Sequence, residues 1–218
     1  LYYKTIIEEY RRKFKDENYP NIIIYSVNFG KFTKLISEGK DEAAAEMLVE
    51  AAKSLEKAGA SCILIAANTP HMLLNYIKAR VKTPIISIID ALAEELKKDN
   101  VKTVGLLGTK FTLTKPFYIE GLRKHGINAL TPQPEDIELV NKIIYQELVK
   151  GIVRSESKKQ LIKVIEKLID NGAQGIALAC TELPLLITGK VNNIKLYNTA
   201  KLTIEYITKF CGGRGEIP

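Results

Sequence analysis

One pattern occurs twice in this chain, 113 residues apart: an amphipathic helix, a Gly-Ala turn, a short apolar strand and a small polar cluster. Gly59 aligns with Gly172, and Ala66 aligns with Ala179. Polar residues that follow a parallel strand lie at the edge of an α/β sheet where ligands bind. The repeat therefore predicts two similar lobes whose polar strand ends face each other across a cleft.

Short apolar runs alternate with helical periodicity along the chain, which is typical of a parallel α/β architecture. The predicted strands are residues 22–27, 62–66, 84–89, 101–107, 127–130, 175–179 and 194–197. We expect an α/β fold of two pseudo-symmetric lobes, each a parallel sheet flanked by helices. Residues 1–98 plus 190–218 are predicted to form lobe one, and residues 99–189 lobe two.

Charge and hydropathy exclude two classes of partner. The 218 residues include 32 Lys+Arg and 25 Asp+Glu, but basic and acidic residues alternate, as in a solvated helix face. No Trp is present, so the pattern argues against a nucleic-acid interface. No run approaches the ~18 apolar residues that span a bilayer. We expect neither a nucleic-acid partner nor a membrane partner.

The three cysteines, Cys62, Cys180 and Cys211, lack C-x-x-C spacing, so neither a disulfide framework nor a zinc site is predicted. The expected compartment is the reducing cytoplasm. Cys62 and Cys211 are interpreted as core or surface positions. Cys180 ends the second repeated strand and directly precedes a helix start, where the helix dipole is expected to lower its thiol pKa. The alternative is a small buried apolar residue.

Polar side chains near the strand ends are candidate ligand groups. Asn68, Thr69 and Thr181 can donate hydrogen bonds to a carboxylate, or they can cap the helices that follow. Thr109 and Thr112 follow a third strand. Other titratable residues are weaker candidates: Asp90 is interpreted as a helix cap or a site acid, and the two histidines, His71 and His125, lack metal-ligand spacing.

Three segments carry a family resemblance: Ala-Asn-Thr-Pro-His at 67–71, Gly-Thr-Lys-Phe-Thr at 108–112, and Ala-Cys-Thr-Glu-Leu-Pro at 179–184. They resemble the cofactor-independent aspartate/glutamate racemases. The resemblance implies two α/β lobes, a homodimer, and no pyridoxal phosphate or metal. It also implies that Cys180 is one acid/base. The implied substrate-binding residues are Asn68, Thr69, Thr109, Thr112, Thr181 and Glu182.

The chain departs from the family pattern in three places. The family opens with a strand and a Gly-Gly-Met-Ser-like loop, so we expect a segment to be missing upstream. An Asp-Thr-Ala-x-x-His pattern is expected near the C-terminus, where residues 198–203 read Asn-Thr-Ala-Lys-Leu-Thr. Position 67, usually cysteine, is alanine. Racemisation needs a proton-transfer group on each face of the α-carbon, and a methyl group cannot serve. Water, Asp90 or another group would have to substitute.

Three functional hypotheses follow. The first is a racemase-type isomerase that acts on aspartate- or glutamate-like substrates through Cys180, with two-base activity impaired by Ala67. The second is a racemase-fold decarboxylase or isomerase that uses one cysteine, as in the arylmalonate decarboxylases. The third is a non-catalytic homologue that binds a dicarboxylate.

Overall fold

The computed structural model describes residues 2–15, 17 and 19–210, so Cys211 lies outside the described part. The chain divides into two compact units. Unit 1 contains Leu1–Ile65, Pro70–Ser87 and Ile204–Pro218, and unit 2 contains Ala66–Thr69 and Ile88–Thr203. The lobe boundaries expected from sequence, at residues 98/99 and 189/190, stay a prediction.

Unit 1 is mainly helical around one short strand pair. Its helices are α1 (Tyr2–Phe14), α2 (Phe29–Ser37), α3 (Asp41–Lys57) and α4 (Leu74–Lys78). Strands β1 (Ile63–Leu64) and β2 (Ile85–Ile86) pair in parallel, with Ile63 opposite Ile85. The apolar face of α3 is buried and contacts α2 and α4. The buried residues on that face are Ala44, Ala45, Val49, Ala51 and Ala52.

The predicted strand over residues 22–27 is wrong: this segment has no regular secondary structure. Ile23, Ile24 and Tyr25 are 50%, 70% and 50% exposed. A strand forms only where a neighbour completes its hydrogen-bond ladder, and β-propensity alone does not supply one. The run over 84–89 is likewise shortened, because β2 ends at Ile86 and the next helix starts at Ile88.

Unit 2 is built on a five-stranded sheet. Its strands are β3 (Thr103–Gly108), β4 (Asn128–Leu130), β5 (Gly175–Ala179), β6 (Lys190–Val191) and β7 (Ile194–Asn198). Their order is β4-β3-β5-β7-β6, all neighbours being parallel except β6 and β7. The helices are α5 (Ile88–Lys98), α6 (Lys110–Thr114), α7 (Phe117–Lys124), α8 (Pro134–Gln146), α9 (Ser155–Asp170), α10 (Leu183–Leu186) and the start of α11 (Thr199–Phe210).

The central strand β5 divides the core of unit 2 into two apolar clusters. Ile176 and Leu178 belong to the cluster that contains the buried faces of α8 and α9. Ala177 and Ala179 belong to the cluster that contains α5 and α7. Successive strand residues point to opposite faces of a sheet, so helices cover both faces of β5. The predicted α/β class, with parallel sheets flanked by helices, is confirmed.

Within residues 2–15, 17 and 19–210, no helix combines the length and the apolar character needed to cross a bilayer.

Candidate active site

Three adjacent parallel strands of unit 2 end at the same sheet edge. Gly108 pairs with Ala179, and Leu178 pairs with Asn198. The residues that follow these strand ends are therefore neighbours: Thr109 after β3, Cys180 after β5 and Thr199 after β7. This is the edge at which α/β sheets bind ligands.

The close approach of β3 and β5 depends on a missing side chain. A Cβ atom on Gly108 would lie 2.8 Å from the backbone oxygen of Ala179 and 3.3 Å from the Thr112 side chain. Real Cβ atoms do not come within 3.0 Å of such atoms. Glycine at this position therefore allows the Thr109–Thr112 turn to lie against the end of β5.

Three predicted hydroxyl groups come together beside this turn. Thr109 is the N-cap of α6, and its Oγ1 accepts from the backbone N–H of Thr112 at 3.4 Å. The Oγ1 of Thr112 lies 3.1 Å from that of Thr109 and 3.5 Å from that of Thr69. From sequence, Thr109 is a candidate ligand group that follows the third strand. The structure places it as a cap, with its hydroxyl also inside the threonine cluster.

Asn68 is buried beside these threonines and is 5% exposed. Its Oδ1 accepts a hydrogen bond from the Tyr118 hydroxyl at 3.2 Å, and Thr199 Oγ1 lies 3.5 Å away. Thr199 also donates to the backbone oxygen of Leu178 at 2.9 Å. Within the described part of the chain, Asn68 Nδ2 is buried and has no acceptor in hydrogen-bond range.

Cys180 is 6% exposed, and its Sγ donates to Glu182 Oε2 at 3.0 Å. The Thr181 hydroxyl donates to the same carboxylate oxygen at 2.7 Å. The three residues after β5 thus form one hydrogen-bonded group. Glu182 lies two positions after Cys180, with its carboxylate against the thiol.

The expectation of a lowered thiol pKa is wrong. Burial raises the pKa of the Cys180 thiol well above its ordinary value, and the Glu182 carboxylate raises it further. The backbone N–H groups of Glu182 and Leu183 act in the opposite direction but are smaller effects. Helix α10 has only four residues, whereas the dipole argument assumes an established helix. Cys180 is therefore a thiol at neutral pH.

Ala67 directly precedes Asn68 in the chain and is half-buried. Its methyl group has no titratable proton.

Two further candidates from the sequence lie elsewhere. Asp90 lies in the first turn of α5 and contacts His125 Nε2 at 2.9 Å. Cys62 is disulfide-bonded and stands before β1, not inside it. Two expectations are therefore wrong for Cys62: that the cysteines form no disulfide, and that this residue is a simple core or surface position.

Sequence reasoning assigned no role to three residues that the structure places here: Tyr118, Thr199 and Tyr145. Thr199 lies inside the segment at 198–203, where the chain departs from the family pattern, and Tyr118 comes shortly after the segment at 108–112. Tyr145 on α8 carried no signal. Partial burial raises the pKa of its phenol, and the Glu182 carboxylate adds to the rise.

Across the described ranges, no group of three or more His, Cys, Asp or Glu side chains could hold a metal ion. The side chains gathered at the sheet edge are hydroxyls, an amide, a thiol and a carboxylate. This donor set suits a small polar ligand with carboxylate groups.

Known proteins share both the sequence pattern and this fold. The family model described as Asp/Glu/Hydantoin racemase matches residues 1–207. A crystal structure from Yersinia pestis, provisionally described as an Asp/Glu racemase, is 35% identical, with a TM-score of 0.90 over 96% of this chain and 91% of that chain. An aspartate racemase homologue from Pyrococcus horikoshii is 39% identical, with a TM-score of 0.85 over 97% and 92%. The Picrophilus torridus aspartate racemase is 25% identical, with a TM-score of 0.75 over 99% and 91%. The chain belongs to the Asp/Glu/Hydantoin racemase family.

Proposed function

We propose that this protein is an amino-acid isomerase of the racemase type that acts on aspartate- or glutamate-like substrates by proton transfer through Cys180. The Cys180–Glu182 hydrogen bond carries the proposal, because it joins a proton donor and a proton acceptor at the end of β5, the strand that pairs with β3 just before the Thr109–Thr112 turn. The names of the related aspartate racemases support an acidic amino acid as substrate.

The donors around Asn68 are the proposed carboxylate-binding groups. Asn68 Nδ2 and the hydroxyls of Thr69, Thr109 and Thr112 can each donate to a carboxylate oxygen. Thr181 and Glu182 are proposed to contact the amine side of the substrate, because the Glu182 carboxylate attracts an ammonium group. The proposed reaction uses no cofactor, as the family resemblance implies.

The proposed chemical step begins with a neutral thiol. Glu182 takes the proton of Cys180, and the resulting thiolate takes the α-hydrogen of the substrate as a proton. The electron pair of the broken C–H bond delocalises into the substrate carboxylate, whose negative oxygens the donors around Asn68 stabilise. Return of a proton from Cys180 to the α-carbon and from Glu182 to the thiolate completes the cycle.

Ala67 limits the outcome of this step. A single acid/base at Cys180 removes and returns the proton on one face of the α-carbon, which leaves the configuration unchanged. In heavy water the returned hydrogen is deuterium, because the thiol and carboxyl protons exchange with solvent. The expected behaviour is α-hydrogen exchange of one enantiomer that is faster than its inversion.

The raised thiol pKa favours a second candidate reaction, the decarboxylation of a substituted malonate. A thiol that stays protonated is suited to donate a proton. In that reaction the substrate loses CO2, the electron pair of the broken C–C bond stays on the α-carbon, and Cys180 protonates it. Solvent then returns a proton to the thiolate through Glu182. One thiol is sufficient for this sequence.

The experiment compares α-hydrogen exchange, inversion and CO2 release in one set of assays. L- and D-aspartate and L- and D-glutamate are incubated in heavy water, with exchange followed by NMR and inversion by chiral chromatography. Phenylmalonate is assayed for CO2 release. Exchange without fast inversion supports the isomerase, and CO2 release supports the decarboxylase. Binding of aspartate, glutamate or malonate without either reaction leaves the non-catalytic homologue.

An added thiol tests the assignment of position 67. Ala67→Cys is expected to raise racemisation by ~10²–10⁴-fold, the range typical of a positioned general acid or base. Ala67→Ser is the matched control, because a serine hydroxyl is a far weaker acid than a thiol. An Ala67→Cys variant that binds aspartate but racemises it no faster than Ala67→Ser contradicts the proposal.

The homodimer, which the family resemblance implies, and the cytoplasmic location, which was expected from the cysteine pattern, are both proposals. Sedimentation of the purified chain at several concentrations tests the dimer directly. A monomer at all concentrations would contradict it.

A further inference from the structure

We propose that Tyr118 is a positioning residue: its hydroxyl holds the Asn68 amide so that Nδ2 donates to an oxygen of the ligand. The inference rests on the proposed function and deepens it, because it states what the ligand presents to Asn68. That group is a hydrogen-bond acceptor, namely a carboxylate oxygen, and not the ammonium group.

The contact with Tyr118 determines how the Asn68 amide is oriented. A side-chain amide has one acceptor atom and one donor atom, and their positions exchange when the group rotates by half a turn. The Tyr118 side chain is fully buried, with its hydroxyl 3.2 Å from Asn68 Oδ1. When the Tyr118 hydroxyl donates, the amide atom that faces it must be the acceptor, Oδ1. Asn68 Nδ2 therefore points away from Tyr118.

The other hydroxyl near Asn68 Oδ1, that of Thr199, does not determine the orientation of the amide. Thr199 Oγ1 is 3.5 Å from Asn68 Oδ1 but 2.9 Å from the backbone oxygen of Leu178. A hydroxyl has one proton, and the shorter contact takes it. The orientation of the Asn68 amide therefore depends on Tyr118.

The Asn68 nitrogen, Nδ2, is buried and lacks a hydrogen-bond acceptor in the part of the chain that the structure describes. Asn68 is only 5% exposed, and its Nδ2 has no acceptor among the described residues. Buried polar atoms in proteins are nearly always hydrogen-bonded. A bound carboxylate would supply the acceptor, and its charge would strengthen the bond.

The test removes the Tyr118 hydroxyl while keeping the ring. Tyr118→Phe is expected to weaken binding of L-aspartate, D-aspartate and malonate roughly tenfold, the effect of one hydrogen bond, as measured by calorimetry. Tyr197→Phe is the matched control, because Tyr197 is also a buried tyrosine whose hydroxyl donates to a carboxylate, that of Asp99. The control is expected to lower the melting temperature and leave the dissociation constants unchanged.

A second variant tests the direction of the amide without touching Tyr118. Asn68→Asp replaces the nitrogen with oxygen at nearly constant shape, so malonate and both aspartate enantiomers are expected to bind more than 100-fold more weakly at pH 7. Tighter binding of aspartate by Asn68→Asp would mean that an ammonium group faces this position, and it would overturn the inference.

The two variants also separate a positioning role from a general loss of structure. In the Asn68→Asp background, Tyr118→Phe is expected to have almost no further effect on binding, because the donor it orients is gone. Equal weakening in both backgrounds would overturn the inference. If the parent protein binds none of the probes, the proposed function itself fails. If the parent binds and Tyr118→Phe binds equally well, only the positioning role fails.

Discussion

Each unit contains a short apolar run, but the two runs differ greatly in burial. In unit 2, all five residues of β5 (Gly175–Ala179) are buried between neighbouring strands and two layers of helices. In unit 1, the run over residues 22–27 has no strand structure, and Ile24 is 70% exposed. An apolar run therefore becomes a strand where neighbouring strands and helices pack against it, and apolar sequence alone is not sufficient.

The same contrast applies to chemistry. Every residue assigned to the candidate site lies in unit 2, because the contact division places Ala66–Thr69 there with Ile88–Thr203. The rigid β3-β5-β7 edge supplies Thr109, Cys180 and Thr199. Functional groups need fixed positions within a fraction of an ångström, and fully buried strands provide such positions better than short ones.

The largest expected difference between the units concerns their cysteines. Cys180→Ser is expected to reduce α-hydrogen exchange of aspartate by ~10²–10⁴-fold, because a serine hydroxyl is a poor acid/base. Cys62→Ser in unit 1 should leave the exchange rate per folded molecule unchanged, because a disulfide-bonded sulfur has no proton to transfer. Exchange measured by NMR in heavy water checks both. Equal losses in the two variants would break the assignment of the chemistry to unit 2.

A matched pair of isoleucines tests the difference in packing. Ile176 on β5 is fully buried, whereas Ile24 is 70% exposed. Ile176→Ala is expected to lower the free energy of unfolding by about 2–5 kcal/mol through the lost contacts and the cavity. Ile24→Ala is expected to change it by less than about 0.5 kcal/mol. Urea denaturation measures both values, and a large loss for Ile24→Ala would show that residues 22–27 are packed in solution.

A smaller effect is expected from one carboxylate in each unit. In unit 2, hydrogen bonds from Lys195 and Tyr197 lower the pKa of Asp99. In unit 1, hydrogen bonds from Thr83, and a weaker one from the backbone of Lys82, lower the pKa of Glu56. Below the ordinary carboxyl pKa of about 4, the unfolded chain binds these protons before the folded one. Each contribution to stability is thus present above that pH and lost as pH falls through the lowered pKa.

The acid side of the stability curve can separate the two carboxylates. Asp99→Asn and Glu56→Gln are each expected to make stability fall less steeply below pH ~4. Added salt should weaken the Asp99 contribution more, because Lys195 is its largest cause, whereas Glu56 depends mainly on the uncharged donors of Thr83 and the Lys82 charge is its smallest cause. Urea midpoints measured across pH at low and high salt check this. Equal salt sensitivity in the two variants would contradict the structural account.

Local pattern was sufficient to predict much of unit 2. The run over 175–179 matches β5 residue for residue, because a short apolar run bounded by a Gly-Ala turn and a polar cluster has few other structures available. The polar strand ends at Thr109 and Cys180 were predicted for the same reason. The run over 22–27 failed because its outcome depends on pairing partners that no local pattern specifies.

The parts of the site that sequence missed are those made by long-range contacts. Tyr118 reaches Asn68 across 50 residues, and Thr199 approaches it across 131. The pKa of Cys180 was predicted in the wrong direction because the helix position is visible in sequence, whereas the burial of the thiol is not. The contact with Glu182, two residues away, is local, but a glutamate at that position could equally have faced solvent.

The absent side chain of Gly108 has a consequence for how this protein can change over generations. Since any Cβ there would collide with the backbone of β5, no substitution at this position can be accommodated by a side-chain rotation alone. A saturation library at residue 108 should therefore return glycine, whichever substrate is used for selection. Residues 67 and 182, by contrast, already carry a Cβ atom, so a substitution there alters only the atoms beyond it. New specificities in this lineage are expected to arise at those positions, with residue 108 held constant.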